Sequence, residues 1–110
     1  MDLGQFSVSL NVADMDKSLA FYKALGFAQV AGEYDQNWVI LGNGGAVIGL
    51  FHGMFENNLM TFNPTDARAI QASLIEQGIP IETKAEPGEG PAHFILKDPD
   101  GNTILVDQHA

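Results

Sequence analysis

Ser7 to Phe27 reads SVSLNVADMDKSLAFYKALGF, and 52 positions later Leu59 to Ile79 reads LMTFNPTDARAIQASLIEQGI. Superposed, Asn11 lies over Asn63, Asp14 over Asp66, Ala20 over Ala72 and Gly26 over Gly78. Leu10 falls over Phe62, and Phe27 over Ile79. Four identities in 21 positions carry weight because they fall on structural punctuation, the mark of an internal repeat. Ser7 to Val12 alternates polar and apolar, as a half-buried strand does. Asp14 is placed to cap a helix by accepting from the free N–H groups of its first turn. Met15, Leu19, Tyr22 and Leu25 recur at helical spacing and form one apolar stripe. Gly26 ends the helix, since it adopts a left-handed conformation at little cost. The second copy repeats the plan. Leu59 to Asn63 is the strand, Asp66 or Thr65 the cap, Ala67, Ile70 and Leu74 the stripe, and Gly78 the stop.

Working outward, three strands are expected after each helix. The first set spans roughly 27–34, 37–42 and 46–52, with a turn at Gly42-Asn43-Gly44-Gly45. The second spans roughly 79–84, 92–97 and 102–107. Its last two strands are joined by Asp98-Pro99-Asp100-Gly101-Asn102, whose residues favour a tight turn. Lys84 to Pro91 holds two prolines and two glycines and reads as an exposed loop. The expected fold class is α+β, with two tandem βαβββ modules at about 5–53 and 57–108 in a single domain over 1–110. Neither module covers both faces of its own sheet, so the two are expected to fold as one unit.

Composition narrows the function classes. A chain of 110 residues supports one core. It has no cysteine, so disulfides and thiolate metal sites are excluded. The net charge is −9, and the five bases Lys17, Lys23, Arg68, Lys84 and Lys97 are scattered. A field of that sign repels phosphate backbones and anionic membranes, so neither nucleic acid nor a membrane is expected as partner. An acidic surface chiefly serves solubility, with a preference for a cationic ligand as the lesser reading. The N-terminal MDLGQFSVSL has no basic stretch followed by an apolar run, and no segment approaches membrane-span length. A cytoplasmic location is the expectation.

Val12-Ala13-Asp14, Ser18-Leu19-Ala20-Phe21-Tyr22 with Leu25-Gly26-Phe27, and Lys97-Asp98-Pro99-Asp100-Gly101-Asn102 together resemble the glyoxalase/bleomycin-resistance/extradiol-dioxygenase superfamily, the vicinal oxygen chelate proteins. The resemblance runs along essentially the whole chain. It implies two βαβββ modules whose mixed sheet curls around a ligand cavity between them, and often a homodimer. It does not select one activity, because this fold hosts lyases, isomerases, dioxygenases, thiol transferases and plain binding proteins.

Metal-using members of the superfamily carry His or Glu at four strand positions. By the resemblance these correspond to Ser7, Gly49, Leu59 and Leu105. A divalent ion needs imidazole nitrogen or carboxylate oxygen from three or four side chains. Glycine and leucine offer no lone pair, and a neutral serine hydroxyl is a poor ligand alone. No metal and no other cofactor is therefore expected.

Strand alternation gives the expected cavity lining. From the first module come Ser7, Ser9, Asn11, Trp38 (or its neighbour Val39), Val47, Gly49 and Phe51. From the second come Leu59, Thr61, Asn63, His93, Ile95, Leu105 and Asp107, with Thr103 on the same parity. Apolar walls with scattered neutral hydrogen-bonding groups suit a small molecule. Antiparallel pairing across the Asp98–Asn102 turn sets Lys97 by Thr103, Ile95 by Leu105 and His93 by Asp107. A His–Asp pair could polarise a substrate proton or simply satisfy two polar groups. His52 falls on the opposite face from Gly49, and His109 in a frayed tail. Tyr34, Trp38, Phe51 and Phe55 form an aromatic group suited to a planar or cationic ligand, or to core and dimer packing.

The expected function is a metal-free small-molecule-binding protein with no catalytic residue, similar to the bleomycin-resistance members that sequester a ligand unchanged. An enzyme is the second reading, either a metal lyase, isomerase or dioxygenase with displaced ligands or a metal-free isomerase using His93. A structural or regulatory dimer without a small ligand is the third.

Overall fold

The computed structural model describes all residues, Met1–Ala110. It contains seven strands and two helices, an α+β architecture. They are β1 (Gln5–Asn11), α1 (Met15–Ala24), β2 (Ala28–Glu33), β3 (Trp38–Asn43), β4 (Ala46–Phe51), β5 (Leu59–Asn63), α2 (Ala67–Glu76), β6 (Ala92–Lys97) and β7 (Thr103–Gln108). No helix is long and apolar enough to cross a membrane. The chain divides into two compact units, Ser7–Asn58 and Leu59–Ala110 with Met1–Phe6.

In the unit Ser7–Asn58 the strand order is β2-β3-β4-β1. β1 runs parallel to β4, while β2–β3 and β3–β4 are antiparallel. Val39, Leu41 and Leu50 are fully buried, and Leu10, Val12, Met15, Leu19, Tyr22, Phe27 and Ile48 pack against them. Burying a Leu or Val of this kind contributes about 1.5–3 kcal/mol. Three members of the expected helix stripe, Met15, Leu19 and Tyr22, thus meet the sheet. Leu25 does not: it is the C-cap residue, and 58% of its surface is exposed.

In the second unit the order is β5-β7-β6, with β5 parallel to β7 and β6 antiparallel to β7. Its core is Ala67, Ile70, Phe94, Leu96 and Val106, joined by Leu3, Leu74, Ile81, Ala85 and Ile104. The helix stripe Ala67, Ile70 and Leu74 falls as expected. The strand expected at 79–84 does not form, so this module is βαββ rather than βαβββ. Only Thr83 bridges Ile95, with paired N–H···O contacts of 3.0 and 2.9 Å. Pro80 lacks an N–H, and the amides of Glu82 and Thr83 both donate to the Ile95 carbonyl, so no regular ladder develops. The loop that follows is clamped from α2. Arg68 donates to the carbonyls of Glu86, Gly90 and Pro91 at 2.8, 3.0 and 3.5 Å, and Gln71 Oε1 accepts from the Ala85 amide at 2.7 Å.

The repeat is visible in the helix ends. Asp14 accepts from the Lys17 amide at 3.1 Å, and Asp66 from the Ala69 amide at 3.0 Å. At the other end Gly26 and Gly78 take φ of 100° and 82°. Phe27 N donates to Tyr22 O and Ile79 N to Leu74 O, while Gly26 N reaches Lys23 O and Gly78 N reaches Ile75 O. This pair of bonds is the Schellman motif, made twice at equivalent residues.

Candidate functional site

In the unit Ser7–Asn58, the strand face turned away from α1 is fixed by register. Ser9 lies beside Gly49 and Asn11 beside Phe51, while Ile40 faces Gly49, Trp38 faces Phe51 and Gly42 faces Val47. Alternation adds Ser7 to this face. Ser7, Ser9, Asn11, Trp38, Val47, Gly49 and Phe51 therefore share one surface. Val39, the other choice beside Trp38, lies in the helix-side core instead. Ser7 and Ser9 are 9% and 5% exposed, and no buried side-chain N or O in the chain lacks a partner.

The centre of this face is aromatic. The Phe51 ring folds back over Gly49, so a Cβ built on Gly49 would lie 2.6 Å from Phe51 Cε2 and 3.2 Å from Ile40 Cδ1. Trp38 stacks on Phe51 with centroids 6.4 Å apart and planes 8° apart, and Phe55 meets the other ring at 5.3 Å. All three are half-buried. Tyr34, expected in the same group, goes elsewhere. Its hydroxyl donates to the Asp16 carboxylate, and that bond to an anion holds the phenol above its ordinary pKa.

In the second unit, Thr61 lies beside Leu105, which faces Ile95, and Asp107 faces His93. Leu59 and Asn63 share this face by alternation. The pairing Lys97–Thr103, Ile95–Leu105 and His93–Asp107 is the register expected from the turn. The imidazole within 4 Å of the Asp107 carboxylate is nevertheless that of His109, whose Nε2 stands 3.9 Å from Asp107 Oδ2. Asn63 Nδ2 donates to Gln5 O at 3.0 Å, which turns Asn63 Oδ1 toward His109 Nε2 at 2.7 Å. His109 Nε2 therefore carries a proton. Reading His109 as frayed tail missed this contact. Its parity with Asp107, two residues before it, was the available signal.

The four positions that the resemblance assigns to metal ligands carry side chains unsuited to one. Gly49 has no side chain, and the Phe51 ring fills the space in front of it. Leu59 and Leu105 are half-buried hydrocarbon. No three His, Asp or Glu side chains converge as a ligand set.

One further feature lies beyond the end of β4. Asn11, Val12, Ala13, His52, Gly53, Met54, Phe55 and Glu56 line an open cavity of about 530 Å³. His52 Nδ1 lies 2.8 Å from the Val12 carbonyl, and its backbone N–H donates to Asn37 O. Apart from Asn11, these residues were outside the lining expected from strand alternation, which does not reach into a connecting loop.

The sequence pattern of the Glyoxalase/Bleomycin resistance protein/Dioxygenase superfamily matches residues 4–106. No curated protein matches the chain significantly. Among solved structures, a glyoxalase/bleomycin resistance protein/dioxygenase superfamily member from Vibrio splendidus 12B01 is similar. It has 19% identity and a TM-score of 0.74, over 96% of this chain and 98% of that one. A protein from Legionella pneumophila described as NAD-dependent benzaldehyde dehydrogenase has 17% identity and a TM-score of 0.78, over 96% and 99%. Methylmalonyl-CoA epimerase from Mycobacterium tuberculosis has 19% identity and a TM-score of 0.66, over 97% and 87%. At such identities the likeness concerns the fold alone. With the repeated helix ends, the Asp98–Asn102 turn and the pattern match over nearly its whole length, the chain belongs to the Glyoxalase/Bleomycin resistance protein/Dioxygenase superfamily.

Proposed function

We propose that this chain is a small-molecule-binding member of the superfamily that holds its ligand without a metal. The observation that carries the reading is the Phe51 ring lying where a carboxylate side chain from position 49 would stand. Ser7, Leu59 and Leu105 at the other three inherited positions add one neutral hydroxyl and two apolar side chains. Stripping water from a dication against such groups costs far more than they return. Half-buried rings, Trp38, Phe51 and Phe55, supply contact area for a planar ligand instead. The protein acts as a homodimer in this reading, following the habit of the superfamily.

Elemental analysis of protein purified without chelator, with titrations of zinc, nickel, manganese and ferrous iron, tests the metal. The expected result is no stoichiometric metal. Tightly held metal that disappears when Ser7 or His93 is mutated would instead establish the enzyme reading. Trp38 is the sole tryptophan, so planar aromatic compounds that occupy this face should change its fluorescence saturably. Sedimentation showing only a species near 11.8 kDa would remove the homodimer.

A further inference from the structure

The cavity beyond β4 differs in chemistry from the aromatic strand face. Its shape is held by hydrogen bonds from the end of β1. The Asn11 amide donates to Asn58 Oδ1 at 3.0 Å, and Asn11 Nδ2 donates to the Glu56 carbonyl at 3.2 Å. Val12 N donates to Phe51 O at 2.8 Å. These bonds determine which polar atoms remain for a ligand. Because the Val12 carbonyl only accepts, His52 Nδ1 carries the proton, and in the tautomer this bond selects Nε2 is an acceptor. Because Nδ2 of Asn11 is committed to Glu56 O, its Oδ1 is the remaining end, also an acceptor. Glu56 adds an exposed carboxylate, which accepts only. Met54 is 52% exposed and Phe55 half-buried, giving a polarisable apolar wall.

A cavity whose side chains offer only acceptors beside an apolar wall selects a ligand that is all donor at one end and apolar at the other. We propose that this cavity binds a small arylalkyl ammonium ion. Its three N–H donors have matching acceptors in His52 Nε2, Asn11 Oδ1 and Glu56, and its ring lies against Met54 and Phe55. A carboxylate or phosphate ligand meets only acceptors among these side chains and is repelled by the Glu56 carboxylate. The chain's net charge of −9 raises the local concentration of cations. This site goes beyond the strand-face reading above; the two share Asn11 and Phe55, and Met54 and His52 report this one while Trp38 reports the other.

The probe is benzylammonium chloride, with benzyl alcohol and benzoate as neutral and anionic counterparts. Binding is followed at constant ionic strength by NMR of the Met54 methyl and the His52 ring in the full chain. Benzylammonium should shift both saturably and bind at least about tenfold more tightly than benzyl alcohol, and benzoate should not bind. Glu56→Gln, in an exposed loop, should weaken binding about fivefold or more, and Asp35→Asn should leave it unchanged. Equal binding of alcohol and ammonium, an unaffected Glu56→Gln variant, or non-saturating shifts spread over many acidic residues would overturn the proposal. A benzylammonium response at Trp38 without one at Met54 would also overturn it, while leaving the strand-face reading intact.

Discussion

The two halves of the repeat end their helices with the same atoms, yet present different chemistry on their strand faces. Asp14 and Asp66 cap through equivalent amides, and Gly26 and Gly78 close equivalent Schellman bonds. On the faces, the unit Ser7–Asn58 carries Trp38 and Phe51 with Gly49 beneath them, while the other carries His93, Asp107 and Asn63 with His109 docked. Backbone groups at helix ends admit few solutions, because orphan N–H and C=O groups must be satisfied. A strand face needs only the correct alternation, so its side chains are free to differ. The frame therefore identifies the superfamily, and the faces carry whatever is particular to this chain.

The sharpest way to break that distinction is to show that a face residue behaves as frame. Gly49→Ala places a methyl 2.6 Å from the Phe51 ring and 3.2 Å from Ile40. Overpacking of this kind costs about 1–3 kcal/mol. In a Phe51→Ala background the obstruction is removed, so most of that penalty should vanish, leaving a coupling above about 0.5 kcal/mol in a double-mutant cycle. Denaturant unfolding of the four proteins measures it. An additive cycle would mean that Gly49 is required by the backbone rather than by the aromatic ring.

A smaller effect tests the frame. Asp14→Ala and Asp66→Ala each remove one side-chain cap and should each cost about 1 kcal/mol. The same chemical-denaturation measurement compares them. Equal losses are expected although α1 has Asp16 in its first turn and Lys23 in its last, whereas α2 has neither. Such dipole contributions add only about 0.3–1 kcal/mol at exposed positions. A loss at one helix and none at the other would end the equivalence of the two copies.

Sequence reading reached furthest where a residue type has one structural use. The caps, the glycine stops and the Asp98–Asn102 turn could be placed from identity alone, and the turn then set the β6–β7 register. Within each unit, the positions expected to share a face do so, because alternation is a property of any strand. The reading failed where tertiary contact decides. Leu25 matched the helical stripe but lies past the last turn. Residues 79–84 had strand composition but made only one bridge. Tyr34 left the aromatic group for Asp16, and His109 was drawn to Asn63 from a terminus that looked free. The Phe51 ring over Gly49 was not foreseen because a side chain's rotamer leaves no trace in a pattern of residue types.

The smallest expected effect concerns a turn that the two units make differently. Between β3 and β4 the chain turns on Gly44 and Gly45, with no carboxylate involved. Between β6 and β7 it turns on Asp98, whose carboxylate gathers three donors. Oδ1 accepts from the amides of Asp100 and Asn102 at 2.9 and 2.8 Å, and Oδ2 from Asn102 Nδ2 at 2.8 Å. Hydrogen bonds to the ionised form, that from the Asn102 side chain first, hold Asp98 below its ordinary pKa. A carboxylate whose folded pKa is depressed adds stability above its unfolded pKa, near 3.9, and loses it as pH falls through the lower folded value. Asp98→Asn keeps the shape but sets an NH₂ group against at least one of the three donors. At neutral pH the variant should therefore melt below the parent, and the gap in Tm should close as pH drops below about 4. The shift is small because solvent reaches the carboxylate and screens it. Substituting Asn43 by Ala, the last β3 residue before the glycine turn, as the control, should produce no acid-dependent gap. A Tm difference for Asp98→Asn that stays constant from pH 7 to about pH 2 would show that the turn is held by its backbone, as in the other unit, and that the two hairpins differ in sequence without differing in mechanism.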